Sequence, residues 1–105
     1  MTLNEYQERA SKTAMYPRVA EGLPVYTALG LTEEAGEFAG KVKRALRGEV
    51  FNHDGAVKEL GDVLWYLAMA ARDLGVTLDE VAEVNLAKLA KRAEDGKIRG
   101  TGDDR

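Results

Sequence analysis

An all-α, four-helix-bundle-like domain is predicted by three observations on the 105-residue chain. No stretch alternates apolar and polar residues for long, and β-branched residues are sparse, so the period-two signature of strands is missing. Both prolines lie early, at Pro17 and Pro24, which leaves residues 25–99 without a helix breaker. Gly48, Gly75 and Gly96 then stand where helices of ordinary length should stop. With no repeat, linker or low-complexity segment, residues 1–105 read as a single domain.

The first helix is expected over residues 3–15, with Tyr16-Pro17 interrupting it. Pro24 suits the first position of a second helix, where an amide lacks a partner anyway, and that helix should reach Arg47 before Gly48. Asn52 or Asp54 can cap a third helix that continues to Leu74 and stops at Gly75. Thr77-Leu78-Asp79-Glu80 has the form of a capping box, which opens a fourth helix ending near Gly96. Residues 97–105 form a short, flexible tail of glycines and charges with little to bury. The third helix carries residues 63–71, apolar on every face, so it must be covered nearly all round. Three neighbouring helices can do that, and a second subunit can do it more easily; a homo-oligomer is therefore expected.

Composition excludes several classes. Fifteen Lys and Arg against eighteen Asp and Glu leave a formal charge of −3, too acidic for a protein that coats nucleic acid or an anionic membrane. Without cysteine there is no disulfide scaffold, thiolate metal site or cysteine nucleophile. One histidine, His53, cannot build a multi-histidine zinc site within a chain, and a lone loop histidine reads as a surface or capping residue. The longest apolar run falls far short of the ~20 residues of a membrane helix. The first residues, Met1-Thr2-Leu3-Asn4-Glu5, contain no basic-then-apolar secretion pattern, so a cytoplasmic location is expected.

Carboxylates are the only abundant reactive groups. Four acid pairs stand at i, i+3 (Glu5/Glu8, Glu34/Glu37, Glu59/Asp62 and Glu80/Glu83), against about three expected by chance, so spacing on one helix face is uninformative by itself. Context separates them. Glu5/Glu8 and Glu80/Glu83 lie among polar residues near helix starts, where the helix dipole favours acids. Glu34/Glu37 is flanked by small and apolar residues, and Glu59/Asp62 runs directly into the apolar stretch. Acids bordering a buried segment repel one another unless a cation compensates, and two facing pairs would offer the oxygen ligands that Mg²⁺ prefers. Gly36, Gly40 and Gly61 each cost about 1 kcal/mol within a helix, which points to close helix approach or a ligand against the backbone. On the fourth helix Asn85, Lys88 and Arg92 share a face, beside an apolar face of Leu78, Ala82, Leu86, Leu89 and Ala93. That stripe suits a polyphosphate or an ordinary solvated face, as do Lys41, Lys43 and Arg44, although Lys41 could pair with Glu37. Trp65, Tyr66 and Tyr26 could stack on a base or belong to the core.

Leu31-Thr32-Glu33-Glu34-Ala35-Gly36-Glu37, followed by Lys58-Glu59-Leu60-Gly61-Asp62-Val63-Leu64-Trp65-Tyr66-Leu67, strongly resembles the MazG-like nucleoside triphosphate pyrophosphohydrolases, an all-α superfamily marked by ExxE on one helix and ExxD on the next. Asn85 to Arg92 resembles the family's Asn…Lys…Arg segment, so the likeness covers residues 25–96.

The resemblance implies Mg²⁺-dependent cleavage of a nucleoside triphosphate to the monophosphate and pyrophosphate, with Mn²⁺ as a substitute ion. It implies Glu34, Glu37, Glu59 and Asp62 as metal ligands and Glu33 as a residue that positions or activates water. Lys88 and Arg92 would hold phosphates, and Asn85 would contact sugar or phosphate. A homo-oligomer is also implied, a tetramer ahead of a dimer, as is a role in clearing non-canonical nucleotides or controlling dNTP levels. Two alternatives stand beside it: a dUTP-, dCTP- or phosphoribosyl-ATP-directed relative, and a non-catalytic helical module that binds a partner.

Overall fold

The computed structural model describes residues 1–17 and 22–103. Four α-helices follow one another: α1 (Leu3–Ala10), α2 (Val25–Leu46), α3 (His53–Asp73) and α4 (Leu78–Glu94). A 3₁₀ turn, Ser11–Thr13, extends α1, and no strand occurs among the described residues. The all-α expectation is met, and no helix is long and apolar enough to cross a membrane.

Local chemistry sets the ends of the helices. Thr2 caps α1 by accepting the Glu5 amide at 3.0 Å. The α-helical part stops five residues earlier than expected, because Ser11 and Thr13 turn their hydroxyls onto the Glu8 and Ala10 carbonyls at 2.5 and 2.9 Å. Such side-chain bonds compete with the helical ladder. Pro24 is the residue before α2, not its first residue. Of the two candidate caps for α3, Asn52 acts, accepting the Gly55 amide at 2.9 Å. The capping box at α4 forms in full: Thr77 accepts the Glu80 amide at 3.1 Å, and Glu80 accepts the Thr77 amide at 3.2 Å. Gly48 and Gly75 follow α2 and α3 with φ of +97° and +79°, a left-handed conformation that glycine adopts without strain.

α2 and α3 form a long antiparallel hairpin. Three cross-helix contacts fix its register: Thr27 with Asp73, Gly30 with Tyr66, and Lys41 with Glu59. Across the other side of α3 lies α1, pinned by Gln7, whose side-chain amide donates to the Ala68 and Val76 carbonyls at 3.1 Å each. The Gln7 and Asn4 oxygens accept the Leu78 and Asp79 amides, so α1 also secures the start of α4. The core cluster is Ala68, Met69, Ala71 and Leu78, with Tyr6, Trp65 and Val76 packed against it. The apolar stretch of α3 is therefore largely covered within one chain, and only Leu67 within it is exposed, at 37%.

Apolar surface is left open elsewhere. Leu29, Leu46, Val84 and Leu86 are 69%, 85%, 68% and 65% exposed. The chain exposes 7676 Å², where a compact monomer of 11.5 kDa exposes about 5,800 Å². Its radius of gyration is 16.3 Å, against about 13 Å for a compact domain of this length.

Candidate metal centre

The hairpin register decides which acids meet. Glu34 on α2 faces the turn of α3 that carries Glu59 and Asp62, and carboxylate oxygens of these three residues lie within 4.8 Å of one another. Glu34 and Glu59 are partly buried, whereas Asp62 is exposed at the rim. Lys41 reaches across the hairpin to Glu59 at 3.8 Å, and among the described residues it forms no ion pair with Glu37.

Crowded acids change one another's proton affinity. Glu34 is held above the ordinary glutamate range, first by burial, then by the charge of Asp62 and a hydrogen bond with Glu59, with the charges of Glu59 and Glu33 adding to it. Tyr66 is raised by burial, then by Tyr26, then by Glu34 and Glu33, which places its ring beside the acids. Tyr6 is raised by burial and by the charge of Asp62. The site is thus a focus of negative charge against an aromatic wall. Tyr16, Tyr26, Trp65 and Tyr66 contact one another in series, with the Tyr16 and Tyr26 rings stacked at 5.3 Å. The Tyr16 hydroxyl donates to Asp73 at 2.8 Å, and the buried Thr27 hydroxyl lies 3.1 Å from the other Asp73 oxygen.

All three donors are hard carboxylate oxygens, the type that Mg²⁺ selects. Octahedral Mg²⁺ with ligands at ~2.1 Å places them about 3 to 4.2 Å apart, so the cluster matches after a small inward adjustment or with a water between. The fit is good.

Other expected site residues lie outside this cluster. Glu37 and Glu33 are exposed on α2, and Glu37 is not among the three converging acids. Asn85 is exposed on α4, Lys88 is partly buried and Arg92 is 6% exposed. Among the described residues no hydrogen bond or ion pair joins Asn85, Lys88 or Arg92 to the acids of α2 and α3; Lys88 and Arg92 instead hold Asp103. His53 is exposed at the start of α3, 3.6 Å from Asp54.

The glycines correct one expectation. Gly36 and Gly61 have open space where a side chain would stand, and Gly40 meets only its own helix's Arg44, so these three mark no close helix approach among the described residues. The close approach is at Gly30, where any β-carbon would overlap the Tyr66 ring. Sequence reasoning passed over Gly30, although its cost inside a long helix was the signal available. Asp103 carried no such signal, being one acid in a glycine-rich tail. Asp104 and Arg105 of that tail lie outside the described residues.

An antiparallel helical hairpin that brings together three carboxylates able to hold a metal ion defines the class, an all-α protein with a candidate metal centre. Residues 25–96 match the MazG nucleotide pyrophosphohydrolase domain, so the chain belongs to that family of hydrolases, whose members use a divalent metal. It is also 44% identical over 115 residues to the Gene 37 protein of Mycobacterium phage L5, with 100% of both chains covered. No solved structure matches.

Proposed function

We propose that the protein is a Mg²⁺-dependent nucleoside triphosphate pyrophosphohydrolase that converts a (d)NTP and water to the (d)NMP and pyrophosphate. The observation that carries this reading is the convergence of Glu34, Glu59 and Asp62 between α2 and α3 in a chain of the MazG family. Glu37, one turn along α2 from Glu34, completes the proposed donor set. A bound Mg²⁺ supplies charge neutralisation of the triphosphate and lowers the pKa of water. The chain's own residues do the rest. Glu33, beside the cluster and solvent-exposed, accepts the proton of the attacking water. Lys88 and Arg92 hold phosphate oxygens as their charge develops, and Asn85 contacts sugar or phosphate. Oxygen from water joins phosphorus, the bond between the α- and β-phosphates breaks, and pyrophosphate leaves. The open apolar surface supports a homo-oligomer as the working form, and clearance of non-canonical nucleotides is the proposed role.

The test is a panel of canonical and damaged nucleoside triphosphates with Mg²⁺ and direct detection of pyrophosphate. Turnover of at least one, restored by Mg²⁺ or Mn²⁺ after EDTA, is expected. No pyrophosphate from any member, or full activity after exhaustive chelation, overturns the reading.

A further inference from the structure

Arg92 is buried at 6% exposure, yet its Nε has no hydrogen-bond partner among the described residues. Its Nη2 donates to the Asp103 carboxylate at 3.1 Å and to the Gly102 carbonyl at 3.2 Å. The same Asp103 oxygen accepts Lys88 Nζ at 2.8 Å. One carboxylate oxygen therefore serves two cations, while half of the guanidinium fork is idle. That fork is built for planar, bidentate recognition of carboxylate or phosphate, and a phosphate group, with more charge and more oxygens, can engage Nη2, Nε and Nζ together. Asp103 itself is 80% exposed and reaches back through a glycine-containing turn in which Gly96 and Gly102 have φ of +69° and +78°. Lys88 and Arg92 also pull its carboxyl below the usual aspartate range.

We propose that the C-terminal tail is a built-in competitor: the Asp103 carboxylate occupies the Lys88–Arg92 anion site and must be displaced by a phosphate of the substrate. The proposal rests on the pyrophosphohydrolase reading for the identity of that phosphate. A short tether gives Asp103 an effective concentration in the millimolar range, but an exposed ion pair closes only weakly. Competition should therefore be modest and fully reversible by substrate.

The experiment titrates inorganic pyrophosphate into the full-length protein by calorimetry, for the native chain, Asp103→Asn, Asp103→Ala and the control Asp95→Asn. Asp95 pairs with Lys91 and carries the same charge change. Both Asp103 variants should bind pyrophosphate about two- to fivefold more tightly, and Asp95→Asn should match the native chain. Lys88→Gln should weaken binding in either background. With a hydrolysed nucleotide, the Asp103 variants should lower KM by the same factor and leave kcat unchanged. Unchanged or weaker affinity in both Asp103 variants, or no pyrophosphate binding by any of the proteins, overturns the competitor. If no nucleotide is hydrolysed but the affinity shift appears, the competitor stands and the hydrolase reading falls.

Discussion

Glu34 is the residue at which the chemistry of the site concentrates. Its neighbours Asp62 and Glu59 penalise its ionised form, and burial does so first. Glu34→Gln, Glu59→Gln, Asp62→Asn and Glu37→Gln keep shape and remove one charge each. Each should cut turnover by orders of magnitude if these acids hold the ion. The metal-free fold should be unharmed or gain a few tenths of a kcal/mol from relieved repulsion. Glu80→Gln and Glu83→Gln, with the same spacing on α4, should leave turnover nearly intact, with a small stability loss at Glu80 from the capping box. Equal losses in both sets would mean that overall charge, not a site on the hairpin, governs activity.

The same residue sets a pH signature. Because the folded-state pKa of Glu34 lies above its unfolded value, the folded state holds this proton more tightly. Above the raised value the penalty is fully present, and it disappears as pH falls toward the ordinary glutamate value. Metal-free protein should therefore gain stability from this group on acidification through that window, and the gain should be missing in Glu34→Gln. Melting curves of both proteins across that window measure it; identical slopes would remove Glu34 from the cluster.

At the scale of elements, the four helices were legible because caps and stops are local chemistry. The Thr77 capping box, the Asn52 cap and the glycines after α2, α3 and α4 are each written within a few residues. The early end of α1 was not legible, since helical pattern and two hydroxyls compete there and the outcome depends on where Tyr16 must go to reach Asp73. The acids were legible as pairs on faces, but convergence of Glu34 rather than Glu37 depends on hairpin register, which sequence spacing does not encode. Glycines divide the same way. Gly36→Ala and Gly61→Ala meet open space in helical backbone and should each stabilise the metal-free protein by about 0.5–1 kcal/mol. Gly30→Ala must displace the Tyr66 ring and should lower the melting temperature. A calorimetric melt of the three variants decides it: destabilisation by Gly61→Ala would show that another backbone or a ligand lies against α3.

The whole molecule has more surface than one folded chain of its mass should keep. Its 7676 Å² exceeds the compact-monomer expectation by nearly 2,000 Å², the scale of a stable protein–protein interface. Exposed apolar side chains lie along α4 and toward the ends of α2, and beside the start of α4 an apolar recess of about 430 Å³ is lined by Val76, Glu80, Val81 and Val84. The sequence pointed to assembly through residues 63–71, yet α1 and α2 largely cover that stretch, so the expected partner surface moves to the exposed apolar residues of α4. Light scattering at micromolar concentration should therefore give a multiple of 11.5 kDa, with a tetramer expected ahead of a dimer. Leu86→Glu tests the surface itself: Leu86 is 65% exposed within the chain, so the charge should cost the isolated fold less than about 0.5 kcal/mol. If α4 is an interface, the same charge must be desolvated there, and the variant should shift toward monomer with its helical content intact. A native chain that scatters as an 11.5 kDa monomer would refute assembly, and an oligomer indifferent to Leu86→Glu would move the interface to the exposed ends of α2, where Leu29 and Leu46 lie.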